Sequence, residues 1–418
     1  MHITLTGLSY RTAPLAVRES LAFPGEQLSQ ALPRFAEVVG DGIILWTCNR
    51  TEVYAVSDAP AATAERVRGF LASHGDLEPG AADPYLYDYT DLDAARHLFS
   101  VAGGLDSMVL GESEILGQVR QALTAASASS ALPTSLSRLF HRAIRTGRRV
   151  RDETGVGRNA ISISQAGVRL AERVVGGLHD ARVTLIGAGE AGQLVAKALQ
   201  SSGVVDLRVT NRTHSRALEV TRQLGGRAVP FARLGQQVSD SDVVIAATEA
   251  PEYVVTVDMV ASAAQARRNG GLMLLDLAVP RNVDPEAASL EGVRLFNIDD
   301  LSSIAEENLK GRRTAAKAAA EIVEEEAIRF MRWWDSRDAV PIIKAVRARG
   351  ERIRSAELKR ALSKLDSVST EDVAVLEAMS RAIVTKLLHD PTKRLKKRSD
   401  GQYLEAAMDL FQIADPEE

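Results

Sequence analysis

Between residues 2 and 90 the apolar positions change period several times. "HITLTGLS" (2–9) reads as a strand, "APLAVRESLAFPGEQLSQALPRFAEV" (13–38) as largely helix, and "GIILWT" (42–47) and "TEVYAVS" (51–57) as strands joined by a very short link. A helical pattern over 61–73 and the strand-like "YLYDYT" (85–90) complete a β-α-β-β-α-β order, which predicts a split-βαβ, ferredoxin-like plait. From Asp91 to Arg151 the pattern is helical, with Asp91 or Asp93 as N-cap and "ASASSALPTS" (126–135) as an interhelical loop. Near Ile161 the pattern changes again. "ARVTLIGAGEAGQLVAKALQSSG" (181–203) reads as strand, glycine turn and helix, and "VDLRVTNRT", "SDVVIAAT" and "GLMLLDLAVPR" follow as strands between helical stretches. Alternation of this kind predicts a parallel, doubly wound sheet. Residues 302–337 read as one helix with Val323, Ala327, Phe330, Met331 and Trp334 at helical spacing, interrupted by Pro341. At about 1.5 Å per residue it would reach roughly 50 Å, the length of a spine. Amphipathic segments continue to "GQYLEAAMDLFQI" (401–413), and "ADPEE" is expected to fray.

The chain has 418 residues, which is long for one core, so two or three domains are expected. A hydrophobic share of 45%, a charged share of 25% and a net charge of -4 are ordinary and nominate no partner. The single cysteine excludes an internal disulfide, and there is no CxxC or Cys/His cluster for a metal. With no leader-like N-terminus and no apolar run near about 18 residues, a soluble, cytoplasmic protein is expected, with no membrane role.

The strongest chemical signal is Gly187-Ala188-Gly189-Glu190-Ala191-Gly192, set between a predicted strand and a predicted helix. There the glycines permit a tight turn and let a pyrophosphate approach the helix N-terminus. The next strand ends "VTNRT" and offers no acid for a ribose 2′-hydroxyl. Instead Asn211 and Thr213 can hydrogen-bond, and Arg212 can pair with a 2′-phosphate, which favours NADPH; the other reading of Arg212 is a solvated loop residue. Cys48 falls in the link between two predicted strands, among Thr47, Asn49, Arg50 and Thr51. It is either a small buried hydrophobe or, with an arginine nearby to favour thiolate, a nucleophile. A thiol on one domain and a nicotinamide on another suit capture of an activated acyl group and its reduction to an aldehyde.

"TCNRTEVY", "RHLFSVAGGLDSMVLGESEILGQVR", "LIGAGEAG", "VTNRT", "DLAVPR", "FNIDDL" and "LHDPTKRLKK…YLEAAMDLF", in that order, resemble the glutamyl-tRNA reductase family over essentially the whole chain. The resemblance implies that Cys48 attacks the ester of glutamyl-tRNA(Glu), holds glutamate as a thioester and yields glutamate-1-semialdehyde with NADPH, the first step toward 5-aminolevulinate and tetrapyrroles. It implies that Thr47, Asn49 and Arg50 flank the nucleophile, with Arg50 gripping the substrate's side-chain carboxylate. Ser107 in "GLDSM" and Glu112, Ser113, Glu114 and Gln118 in "GESEILGQ" would bind the glutamyl group. Glu114 stands where the family carries glutamine. His97 would lie near the thiol to polarise the carbonyl or move a proton; without the resemblance a helical histidine is more often structural. "HRAIRTGRRVRDETGVGR" and "KRLKKR" either touch tRNA phosphates or are solvated faces.

The expected organisation is a catalytic domain over 1–158, a Rossmann-type NADPH domain over 159–300, and a spine helix with a helical dimerisation domain over 301–418. The stripe Leu376, Met379, Ile383, Leu387 and Leu388 suggests packing on a second copy, the other reading being an intrachain helical bundle; the resemblance implies a homodimer joined through this region and product channelling to the next enzyme of the pathway. Two rival functions stay open: an NADP-dependent dehydrogenase of a small free metabolite, shikimate dehydrogenase-like, and a non-catalytic tRNA- or dinucleotide-binding regulator.

Overall fold

The structure is a computed structural model that describes residues 1–112, 114–129, 132–157, 162–267, 271–301, 313–337, 339–365, 368–397 and 401–413. The chain forms two compact units, Met1–Ala327 and Ile328–Glu418. Ser113 and Ile161, the predicted start of the spine helix and the "ADPEE" tail lie outside the described residues.

The first unit holds two sheets. Strands β1 (His2–Ser9), β2 (Gly42–Thr47), β3 (Arg50–Ser57) and β4 (Tyr87–Thr90) pair antiparallel in the order β2-β3-β1-β4, with helices α1 (Leu15–Ser20), α2 (Gln27–Val38) and α3 (Pro60–His74) between them. This is the split plait that the periodicity predicts. The single helix expected over 13–38 is two helices, because Pro24 disfavours helical backbone before it and Gly25 has φ +59°. Phe23, Phe35 and Phe70 fill one face of the sheet. On the other, Tyr54 meets Phe140 edge-on at 5.2 Å, where helices α4 (Asp91–Ala102), α5 (Glu114–Ser129) and α6 (Thr134–Thr154) pack. Asp91 does not cap α4. Its carboxylate accepts from the Ile3 N–H at 3.0 Å and pairs with His2 at 2.7 Å, tying the helix start to β1.

The second sheet is wholly parallel. Strands β5 (Arg182–Ile186), β6 (Asp206–Asn211), β7 (Arg227–Pro230), β8 (Val243–Ala246), β9 (Leu272–Asp276) and β10 (Val293–Asn297) take the order β10-β9-β8-β5-β6-β7. Helices α7 (Ile163–Val175), α8 (Glu190–Ser201), α9 (His214–Leu224), α10 (Leu234–Asp240) and α11 (Val257–Ala266) accompany it. Burial on both faces explains why β8 (VVIA) and Leu272–Leu275 of β9 are continuous apolar runs. Strand order reverses between β5 and β8, the place where such sheets bind ligands beyond their carboxyl ends.

Helices α12 (Arg313–Asp335), α13 (Ala339–Leu362), α14 (Thr370–Lys397) and α15 (Gly401–Leu410) follow. Pro341 sits inside the first turn of α13 rather than at the break, a position where its missing N–H leaves no helical bond unmade. In the second unit Ile342, Val346, Leu395 and Leu404 form a small core, whereas Met379, Ile383 and Leu387 on α14 are 53%, 49% and 69% exposed within the chain. Among the described residues no helix is long and apolar enough to cross a membrane.

The contact of α4 with α6 depends on Gly147, where an added Cβ would stand 2.4 Å from the Ala102 carbonyl oxygen. Gly147→Ala is expected to push the two helices apart and cost about 1–3 kcal/mol. A thermal melt of the variant indistinguishable from the parent's would contradict this packing.

Candidate functional site

Cys48 and Asn49 are the entire two-residue link between β2 and β3, whose flanking Thr47 and Arg50 are paired. The link is held by its backbone. Asn49 accepts from the Tyr10 N–H at 2.8 Å and donates to the Thr47 hydroxyl at 3.1 Å. The buried Arg18 guanidinium donates to the Cys48 carbonyl at 2.8 Å and also pairs with Asp299. A second tie, the bidentate pair of Arg281 with Glu19, joins α1 to the segment after β9. The hairpin carrying Cys48 is therefore fastened to the residues flanking the parallel sheet.

Between them lies a cleft of about 620 Å³, lined on one side by Thr47, Cys48, Glu114 and Gln118 and on the other by Gly187, Gly189, Glu190 and Asn211. The predicted nucleophile and the glycine turn thus open into one space. The three glycines have separate causes. Gly187 has φ +115°, and a Cβ there would lie 2.2 Å from the Ala247 carbonyl; one at Gly192 would lie 2.3 Å from the Gly187 carbonyl; at Gly189 nothing stands within 4 Å. The first two glycines close the turn and the third leaves an open approach to the N-terminus of α8, which Gly189 caps without a side chain. Ala188 and Ala191 complete the turn, with the Ala188 N–H donating to Asn211 Oδ1 at 3.3 Å. Arg212 and Thr213 line an adjoining hollow of about 220 Å³ together with Asn211 and Arg216. Arg216 was not singled out from the sequence; the signal was a second arginine in the first turn of α9, four residues after Arg212.

The structure corrects the electrostatics expected of Cys48. Burial, followed by the carboxylates of Glu112 and Glu114, pushes its thiol up to about 12, and Arg18 opposes them only in part. Arg50 does not face the thiol. It is 1% exposed and its guanidinium is taken up by Glu52 and by the Asp106 carbonyl and carboxylate. The same commitment means that Arg50 offers no free fork to a substrate carboxylate here. Glu52, itself fully buried, accepts from Tyr54 at 2.7 Å and Tyr87 at 2.6 Å and pairs with His97 Nε2 at 2.7 Å. Burial alone would raise this carboxyl, but Arg50 and then His97 hold it well below the usual carboxylate range. His97 also packs on the rings of Tyr87 and Tyr89. It belongs to this cluster and does not line the cleft. Glu52 and Asp106 escaped the sequence reading. The legible sign was Arg50, Glu52 and Tyr54 at alternate positions, hence on one face of a strand otherwise apolar.

Beside Cys48, burial and then Glu114 push the Glu112 carboxyl up to about 7, against the nearby Ser107 hydroxyl and Arg50. Glu114 is raised by burial and by Glu190 across the cleft. Asn49 Oδ1, Ser107 Oγ, Glu112 Oε2 and Glu114 Oε1 are buried and have no hydrogen-bond partner among the described residues. Of these, Glu112 and Glu114 act on the Cys48 thiol, and unmet buried polar atoms beside it mark a place for a polar ligand.

Comparison with known proteins covers the same ground. The family described as "Glutamyl-tRNAGlu reductase, N-terminal domain" matches residues 6–154, "Shikimate / quinate 5-dehydrogenase" matches 169–304, and "Glutamyl-tRNAGlu reductase, dimerisation domain" matches 318–413. The chain is 40% identical to a glutamyl-tRNA reductase of Syntrophotalea carbinolica, over 99% of this chain and 95% of that one. It is 41% identical to that of Rubrobacter xylanophilus, over 97% and 95%. The solved glutamyl-tRNA reductase of Methanopyrus kandleri matches 100% of this chain and 99% of its own, with 34% identity and a TM-score of 0.52.

Because Cys48 is the only cysteine, its alkylation reports one site. In the protein alone at pH 7.5, iodoacetamide is expected to react at least about tenfold more slowly than with a free thiol. Glu114→Gln removes a negative charge that disfavours thiolate and is expected to speed the reaction. A rate equal to that of a free thiol and indifferent to Glu114→Gln would show that the carboxylates do not act on the sulfur.

Proposed function

Since the chain belongs to the glutamyl-tRNA reductase family, we propose that it reduces glutamyl-tRNA(Glu) to glutamate-1-semialdehyde with NADPH, through a thioester on Cys48. The observation that carries this reading is the single cleft shared by Cys48 and the glycine turn. In the proposal residues 1–158 bind and activate the glutamyl ester, 159–300 hold the dinucleotide, and 301–418 join two copies. The cytoplasm is the proposed setting.

The reaction starts with a protonated thiol. As Cys48 Sγ bonds to the ester carbonyl carbon, the S–H proton must leave, and Glu112 and Glu114 are the carboxylates that act on this sulfur. The ester C–O bond then breaks, the terminal ribose oxygen departs as a hydroxyl carrying the proton, and the glutamyl group stays as a thioester. Ser107, Asn49, Glu112 and Glu114 present their unmet polar atoms to the α-ammonium and carbonyl of that group, and Thr47 and Gln118 close the wall around it. His97 and Arg50 act as positioning residues: with Glu52 they fix β3 and hence the end of the hairpin. Gly187, Gly189 and the start of α8 suit a pyrophosphate, and Arg212, Thr213 and Arg216 suit a 2′-phosphate. NADPH held there would supply a hydride to the thioester carbonyl, with the Cys48 sulfur as the leaving group. Exposure of Met379, Ile383 and Leu387 supports a homodimer through the last helices.

The deciding experiment follows dinucleotide oxidation with glutamyl-tRNA, beside free glutamate plus uncharged tRNA, in the parent and in Cys48→Ser. Oxidation is expected only with charged tRNA, faster with NADPH than with NADH, and at least about a thousandfold slower in the variant. Turnover of free glutamate, or retained activity without Cys48, would instead favour a dehydrogenase of a free metabolite.

A further inference from the structure

Helix α1 is only six residues long, yet it is fastened on both sides. Toward the catalytic hairpin, the Arg18 guanidinium donates to the Cys48 carbonyl at 2.8 Å, and the Thr51 hydroxyl donates to the Leu21 carbonyl just past the helix at 3.0 Å. Toward the parallel sheet, Arg18 also pairs with Asp299, and Glu19 takes up Arg281. Both Glu19 carboxylate oxygens accept from the Arg281 guanidinium at 2.7–3.0 Å, and Oε1 accepts from the Arg281 backbone N–H at 2.6 Å as well. Neighbouring residues of opposite charge thus reach partners beyond the carboxyl ends of adjacent strands, Arg281 after β9 and Asp299 after β10. The Glu19 side chain is 14% exposed and that of Arg281 23%, so the pair is better shielded than a surface ion pair, whose worth is small.

Arg281 stands on a segment that is itself knotted into the wall of the cleft. The buried Asp276 carboxylate accepts from the backbone N–H groups of Ala278, Asn282 and Val283 at 3.1, 2.7 and 2.8 Å. Asn282, also buried, accepts through Oδ1 from the Thr248 N–H at 3.1 Å and from its hydroxyl at 2.6 Å. This knot fixes Leu277, Ala278, Val279 and Thr248, which line the cleft together with Cys48 and the glycine turn. Glu19 and Arg281 belong to no strand of either sheet. What their pair sets is the position of the hairpin end against the carboxyl edge of the parallel sheet.

We infer that Glu19 and Arg281 are positioning residues for the reduction step: their pair holds the acyl group on Cys48 in register with the dinucleotide side of the cleft, so that hydride rather than water takes it. This rests on the reading of the chain as a glutamyl-tRNA reductase. The thioester has two exits. Hydride adding to its carbonyl carbon, with the C–S bond breaking, leaves the aldehyde, and the sulfur regains a proton from solvent. Water adding to the same carbon, with the same bond breaking, leaves glutamate, and a proton from that water returns to the sulfur. The first exit needs reacting atoms about 3–3.5 Å apart, and a misplacement of about 1 Å costs on the order of 100-fold. The second has no such demand, because water arrives without being aimed. Capture of the acyl group in the first place uses the hairpin and its neighbours and does not need the tie.

The test uses the full chain and compares the parent with Glu19→Ala, Arg281→Ala, the double variant and the isosteric Glu19→Gln. One readout needs no dinucleotide: the burst of tRNA released on mixing with glutamyl-tRNA, with Cys48→Ser as background. The other is the ratio of semialdehyde to free glutamate formed with saturating NADPH. The burst rate is expected to stay within about twofold of the parent in Arg281→Ala, while the ratio falls at least about tenfold. The double variant should match Arg281→Ala within about twofold, since two residues acting as one pair are lost only once. Glu19→Gln keeps an oxygen for the Arg281 N–H and should lose less than Glu19→Ala. A ratio at the parent's value in Arg281→Ala overturns the positioning role, and so does a burst slowed as much as reduction in every variant, Glu19→Gln included, which would make the tie a general prop. A parent without a Cys48-dependent burst overturns the functional reading instead.

Discussion

The buried ion pair of Arg50 with Glu52 is the interaction on which the catalytic half of the molecule depends. Taking both charges out of water is costly, and further partners offset the cost: Tyr54, Tyr87 and His97 on Glu52, Asp106 on Arg50. Those partners come from β3, β4, α4 and the segment after it. One pair of charges therefore fixes how the sheet meets its covering helices, and with that the position of the hairpin end two residues away. Breaking such a pair by removing one partner strands the other charge, so this cluster tolerates change less than its distance from the cleft suggests.

Arg18 extends the same logic toward the second sheet. A guanidinium that is 2% exposed, shared between the Cys48 carbonyl and Asp299, leaves the link little freedom. The thiol it presents is not poised as thiolate, since two carboxylates and burial favour the protonated form. Glu114 sharpens this behaviour, because as a carboxylate it adds charge where an amide would add none.

Inside the first unit the inward arginines of α6 are taken up at hydrogen-bond distance, Arg142 and Arg149 by glutamates of α12 and Arg151 by the Glu112 carbonyl.

Local chemistry determined a great deal of this protein. Periodicity marked the four strands of the first sheet and β5, β6, β8 and β9 of the second but not its outer strands β7 and β10, the glycine spacing marked the turn after β5, and the motifs from "TCNR" to "DLAVPR" identified the family, because backbone conformation and close approach impose residue types that can be read one position at a time. What the sequence left undetermined was which charges meet. Arg50 was expected to serve the thiol or the substrate, and only the packing of α4 and its following segment against β3 decided that Glu52, Asp106 and His97 claim it. Likewise the arginines of α6 are alike in sequence, and the tertiary structure alone separates those that face acids from those that face water. Coulomb interactions depend on distance and burial, which arise from contacts between residues far apart in the chain and have no period to read.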